Sequence, residues 1–155
     1  MSESSKSILL IIGGILQIIM AHVCMFFGLL GVSSVITAIR YGTVPYREFI
    51  LQFPIGVVGT IAFVFGLSGG ISVLTREHFI LVTFGNLTIL AWNMLVIACA
   101  IISYPPSSIR TNILTLFSFF LILSFFSLAF ILASRKKFYV APKNVEDVDA
   151  GVRQG

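Results

Sequence analysis

The stretch from Ile8 to Ile39 reads ILLIIGGILQIIMAHVCMFFGLLGVSSVITAI and contains no charged residue. At 1.5 Å per residue it would form about 48 Å of helix, more than the roughly 30 Å hydrocarbon core of a bilayer. The apolar core of a cleavable leader has only about 7–15 residues. The segment is therefore expected to stay as an anchor, crossing the membrane over about residues 8–31. The surplus from Gly31 onward is expected to emerge at the interface or to lie against the next helix.

The rest of the chain repeats this character. Of its 155 residues 57% are hydrophobic and only 10% charged, and the mean hydropathy is +1.05. About a quarter of a soluble domain is charged. So few charges could not cover the apolar surface in water, so the chain needs lipid as its solvent. Further spans are predicted at about 52–74, 79–102 and 113–133. Arg40 to Glu48, with Gly42 and Pro45, is predicted as a loop. Thr75-Arg76-Glu77-His78 is read as a tight turn that makes spans two and three antiparallel neighbours. Ser103-Tyr104-Pro105-Pro106-Ser107-Ser108 cannot be crossed by a helix. The expected fold is an all-α integral membrane four-helix bundle, antiparallel and up-down-up-down, occupying residues 1–137. Residues 138–155, with Pro142, Glu146, Asp147 and Asp149, are expected to be a disordered cytoplasmic tail.

Orientation follows from the bases. With the N-terminus inside, that side holds Lys6, Arg76, Arg135, Lys136, Lys137, Lys143 and Arg153, against Arg40, Arg47 and Arg110 on the other. The richer side is expected to be cytoplasmic, placing both ends there. Arg135-Lys136-Lys137 is read as a membrane-surface cluster that stops span four, with Phe138 and Tyr139 as interfacial anchors. The surplus of positive charge near the C-terminus points to an anionic membrane surface rather than nucleic acid as its partner.

In lipid, apolar contact between helices gains little over contact with lipid tails, so small residues and polar contacts decide assembly. Span two carries the candidate helix-packing glycines Gly56, Gly59, Gly66, Gly69 and Gly70, the pair Gly66/Gly70 forming a GxxxG. Their expected neighbour is span three, through the short turn, or span one through Gly14, Ala21 and Gly28 at seven-residue spacing. The intramembrane polar candidates are Gln17, His22, Asn86 and Asn93. Asn86 and Asn93 share one face and should point into the bundle, because an unbonded amide in hydrocarbon is costly. Gln17, His22, Thr60 and Ser124 are their candidate partners. His22 is expected to be bonded to an asparagine or serine. Asn86-Leu87-Thr88 matches a glycosylation sequon, but within the membrane it should be silent. The phenylalanines of span four, at 117, 119, 120, 125, 126 and 130, spread around most of its circumference and are read as facing lipid or another protein.

Catalytic and transport chemistry is constrained by the same inventory. All six acids and all ten basic residues lie outside the predicted spans, whereas ion-coupled pumps usually carry an ionisable group at depth. Cys24 and Cys99 sit in apolar runs without a CxxC or metal-ligand spacing and are read as packing residues. His22 and His78 fall at different depths and could not share a haem. No metal site and no cofactor are expected, and the chain is not expected to be an enzyme.

Ile12-Gly13-Gly14-Ile15-Leu16-Gln17-Ile18 in the first span, and Gly66-Leu67-Ser68-Gly69-Gly70-Ile71-Ser72-Val73-Leu74 before the Thr75-Arg76-Glu77 turn, resemble the layout of the CD20-like group. They are also similar to small archaeal four-span proteins. The resemblance covers about the first 100 residues; here the segment from Ser103 to Arg110 is short and has no cysteine. It implies an oligomerising, non-enzymatic protein that modulates or scaffolds other membrane proteins. The expected function is thus an accessory, scaffolding or self-associating subunit in the plasma membrane, with the bilayer and a membrane-protein partner or further copies around it. The competing expectation is a small transporter or channel with a polar seam along Gln17, His22, Asn86 and Asn93.

Overall fold

The computed structural model describes residues 3–42, 46–103 and 105–138. It holds four helices, α1 (Glu3–Tyr41), α2 (Tyr46–Thr75), α3 (Phe79–Ser103) and α4 (Ser108–Ala133), then a 3-10 turn over Arg135–Phe138. There is no strand among the described residues. All four helices contain stretches long and apolar enough to cross a membrane, which makes this a multi-pass membrane protein.

The helices outrun the predicted spans. α1 has 39 residues, and the predicted loop from Arg40 to Glu48 shrinks, because α1 runs through Tyr41 and α2 begins at Tyr46. Hydropathy marks where lipid ends, not where a helix ends: once nucleated, a helix extends by one hydrogen bond for each residue fixed. α1 stops at Gly42, whose φ of +65° suits a residue without a Cβ. α4 starts at Ser108, five residues before the predicted span. Ser107 is its N-cap, with the side-chain oxygen accepting from the Arg110 N–H at 3.3 Å, which satisfies one of the orphan donors. Of the tail predicted from Phe138, only Phe138 lies within the described residues, and it is not loose. Its ring packs on Phe79 with centroids 5.2 Å apart, where it gains apolar contacts.

Between α2 and α3 the chain reverses through two left-handed non-glycine residues, Arg76 (φ 60°) and His78 (φ 49°). The Glu77 N–H reaches Ser72 O at 3.0 Å and the Arg76 N–H reaches Val73 O at 3.2 Å. This is the Schellman pattern, with arginine where glycine usually sits. An L-residue in this conformation costs roughly 1 kcal/mol.

The helices form a ring in which each packs on the next and α4 returns to α1, while α1 and α3 also meet across the diagonal. The main core holds Met20, Ala21, Cys24, Ala62, Ile89, Trp92, Val96 and Phe117. A smaller one joins Leu10, Val73, Val82 and Ile131, one residue from each helix. The tightest seam is α1 against α2. Gly14 meets Val73 and the Gly70 carbonyl, Ala21 meets Gly66, and Gly28 meets Gly56 and Gly59. The surplus of α1 lies along α2 as well: Gly31 faces Gln52 O, Val32 fills the notch at Gly56, and Val35 is buried.

A methyl group at Gly59 would lie 2.8 Å from Trp92 Nε1 and 2.9 Å from Cys24 O. Gly59→Ala should therefore lower stability by about 1–3 kcal/mol, read from unfolding in mixed detergent micelles. Gly31→Ala, where the nearest atom is Gln52 O at 3.5 Å, should leave the transition unchanged.

Candidate functional site

The polar groups of α1, α3 and α4 converge on one buried cluster. Gln17, Asn86 and Ser127 are 0%, 1% and 0% exposed, so in hydrocarbon each must find its partners within the protein. Asn86 Nδ2 donates to Gln17 Oε1 at 2.6 Å and to Val82 O at 3.3 Å. Gln17 Nε2 donates to the same Val82 carbonyl at 3.2 Å. Ser127 Oγ lies 3.0 Å from Asn86 Oδ1 and 2.9 Å from Gly13 O. Both are acceptors, so the single hydroxyl proton is shared between them or alternates. The amide orientations are mutually consistent: turning either one over would set oxygen against oxygen.

Helix α2 supplies room instead of a hydrogen bond. Gly69 and Gly85 flank the Gln17 carboxamide, and a Cβ on Gly85 would come within 2.6 Å of Gln17 Nε2. It would also collide with the Phe65 carbonyl. All four helices thus contribute at this level, about 10 Å along α3 from its first residue.

A second contact lies deeper. Trp92 is fully buried and its indole N–H donates to Ile55 O at 2.9 Å. Its ring meets Phe117 edge-on at 5.5 Å, and Phe117 in turn meets Phe27 at 5.2 Å. Gly59 makes the notch that admits the indole nitrogen. Phe117 therefore faces the core, whereas Phe119, Phe125 and Phe126 are exposed on the outer side of α4. Phe120 and Phe130 are half-buried. The expectation that the phenylalanines of α4 face outward holds for three of the six.

The four predicted polar residues are not one group. Gln17 and Asn86 meet. Asn93 is buried on the same side of α3, yet only its amide nitrogen is used, donating to Ile89 O at 3.0 Å. Its Oδ1 is buried with no partner. His22 corrects the expectation of a bundle histidine bonded to asparagine or serine. It is exposed on the outer side of α1, with Nδ1 2.8 Å from Ile18 O and its ring edge-on to Phe63 at 5.5 Å. Five residues of helix turn it about 140° away from Gln17. A carbonyl acceptor requires the proton on Nδ1. Thr60 and Ser124 are not the partners expected of them either: they donate to Gly56 O and Phe120 O, one turn back on their own helices. A hydroxyl in a helix can always find that acceptor.

Sequence reading missed Ser127 and Trp92. Ser127 lies three residues after Ser124, on the side of α4 away from Phe125 and Phe126, and that spacing was the available signal. A tryptophan in mid-span, away from the interfaces it favours, must bury its N–H against an acceptor. Cys24 and Cys99 are buried and are not joined in a disulfide. Among the described residues no three His, Cys, Asp or Glu side chains group to hold a metal ion. Arg135 and Lys136 are exposed in the 3-10 turn after α4, and Lys137 follows in the same turn. No family model, no curated protein and no solved structure matches this chain.

The cluster predicts opposite outcomes for the two asparagines. Asn86→Leu strands Gln17 Oε1 and should cost about 1–2 kcal/mol. Adding Gln17→Leu to it should cost less than the sum of the single changes, as read in a double-mutant cycle. Asn93→Leu removes an unpaired oxygen and should be neutral or stabilising.

Proposed function

We propose that this protein is a non-enzymatic, multi-pass accessory or scaffolding subunit that associates within the membrane with other proteins or with further copies of itself. The observation that carries this reading is how the polar groups are used. Gln17, Asn86 and Ser127 spend their hydrogen bonds on one another and on the backbone of α1 and α3, and so act as structural ties. What the bundle offers outward is apolar surface. α4 buries the smallest share of its residues, and Phe119, Phe125 and Phe126 stand exposed along it. The layout resemblance to CD20-like four-span proteins implies the same role.

In this reading the helices alternate in direction, with both ends on the cytoplasmic side of the plasma membrane. Supporting it, Gly14 pairs with Gly70 while Gly28 pairs with Gly56. In addition, Leu10, Val73, Val82 and Ile131 cluster at one end. Seven of the ten bases then share that side, in keeping with the charge rule.

Purification from native membranes in mild detergent tests the association. The expected result is recovery with a defined membrane partner or as a homo-oligomer, reduced by the combined change Phe119→Ala, Phe125→Ala and Phe126→Ala while the monomer still folds. Recovery solely as a monomer overturns the reading. The second reading, a small transporter or channel, is favoured by one feature: the unpartnered Oδ1 of buried Asn93. Ion flux into proteoliposomes that Asn93→Leu abolishes, with the fold intact, would put it first.

A further inference from the structure

Three depressions at the α2–α3 turn share their walls. The first, about 610 Å³, is lined by Thr75, Arg76, Glu77, His78 and Phe138. The second, about 670 Å³, keeps His78 and Phe138 and passes over Phe79, Ile80, Leu81 and Phe84. The third, about 250 Å³, keeps Phe79, Ile80 and Phe84 and reaches Thr83 and Leu87. They form one groove that begins among charged side chains at the end of the helices and continues down the outer face of α3. Its lower part is wholly apolar in character, since the Thr83 hydroxyl is turned back onto Phe79 O at 3.0 Å. From Phe79 to Leu87 the groove follows about 12 Å of helix, within the roughly 15 Å depth of one leaflet.

The upper end is lined by one base and one acid, Arg76 and Glu77, and two further bases stand in the adjoining turn. Arg76 is exposed there, and Arg135 and Lys136 are exposed in the 3-10 turn that ends in Phe138, the wall shared by the first two depressions. Glu77 is the one acid in the turn. Arg76 and His78 both hold left-handed backbone that glycine would adopt without strain, and both are exposed, so core packing does not explain them.

We propose that this groove binds one anionic phospholipid. Arg76, Arg135 and Lys136 hold the phosphate, and one acyl chain lies along Ile80, Phe84 and Leu87. Guanidinium groups match phosphate oxygens in geometry as well as charge, and juxtamembrane bases favour anionic head groups. The shape of the groove separates this from a loose attraction to the surface, because head-group charge and chain slot are joined at His78 and Phe138.

Native mass spectrometry of the full chain, with phosphatidylglycerol or phosphatidylcholine added at equal concentration, reads the bound lipid directly. Phosphatidylglycerol should be retained roughly tenfold or more in preference. Arg76→Gln with Lys136→Gln should abolish that preference. Ile80→Trp should fill the groove and lower retention of both lipids; because Ile80 is 83% exposed, the change leaves the core intact. Arg40→Gln, in the last turn of α1, should alter nothing. Equal retention of the two lipids overturns the proposal. So does inorganic phosphate bound without any response to Ile80→Trp, which would leave an anion site only. A dimer that retains no lipid would assign the groove to a second copy, and that too overturns it.

Discussion

An amide in hydrocarbon has no water to fall back on, and the carboxamide of Gln17 is the point at which this bundle answers that constraint. Its oxygen takes the Asn86 amide at 2.6 Å and its nitrogen reaches the Val82 carbonyl. Asn86 then passes the demand to Ser127, which closes the circuit on the Gly13 carbonyl of the helix that began it. Helices α1, α3 and α4 cannot slide or rotate past one another without breaking a bond that nothing nearby can replace. Apolar packing alone would not fix that register, since lipid tails are as good a neighbour for leucine as another helix.

Glycine makes the amide cluster sterically possible. Gly69 and Gly85 leave the volume that the Gln17 side chain occupies, and Gly85 also lets α3 approach the Phe65 carbonyl of α2. The same close approach along α1 and α2, from Gly14 at Gly70 to Gly28 at Gly56, draws the backbones near enough for dispersion contacts to accumulate. Trp92 uses the Gly59 notch to reach Ile55 O. Small residues and polar side chains are thus two halves of one device. The first opens a gap that the second fills with directed bonds.

Much of this could be read in the sequence because lipid makes the rules few. Four apolar stretches separated by charges define four membrane helices. The seven-residue spacing of Gly14, Ala21 and Gly28 marks a stripe wherever the helix turns, and these three residues do line the α1–α2 seam. Helix ends were less legible. Glu3 to Ser7 and Ser108 to Asn112 are polar enough to leave the bilayer but remain helical, since the backbone bonds there do not depend on lipid. Polar partners were the least legible, because rotation about a helix axis decides them. His22 and Gln17 are close in sequence and in depth but face different ways. Of the two serines on the inner side of α4, Ser127 reaches the amides and Ser124 is satisfied one turn back.

The polar residues also divide by depth. The satisfied cluster sits within about 10 Å of the end of α3 that carries the α2–α3 turn, and Asn93 lies about another 10 Å further in. Between them Ile89 is completely buried, and Met20 and Trp92 are buried in the same core. A continuous polar seam would need those apolar side chains to move aside, at the cost of the contacts that form the main core. Asn93 thus shares no hydrogen bond with the Gln17 cluster: its nitrogen is spent on Ile89 O and its buried oxygen has no partner. The shared face of the two asparagines on α3 reflects the inward side of that helix. This is why polar residues at helical spacing in a membrane span point first to assembly.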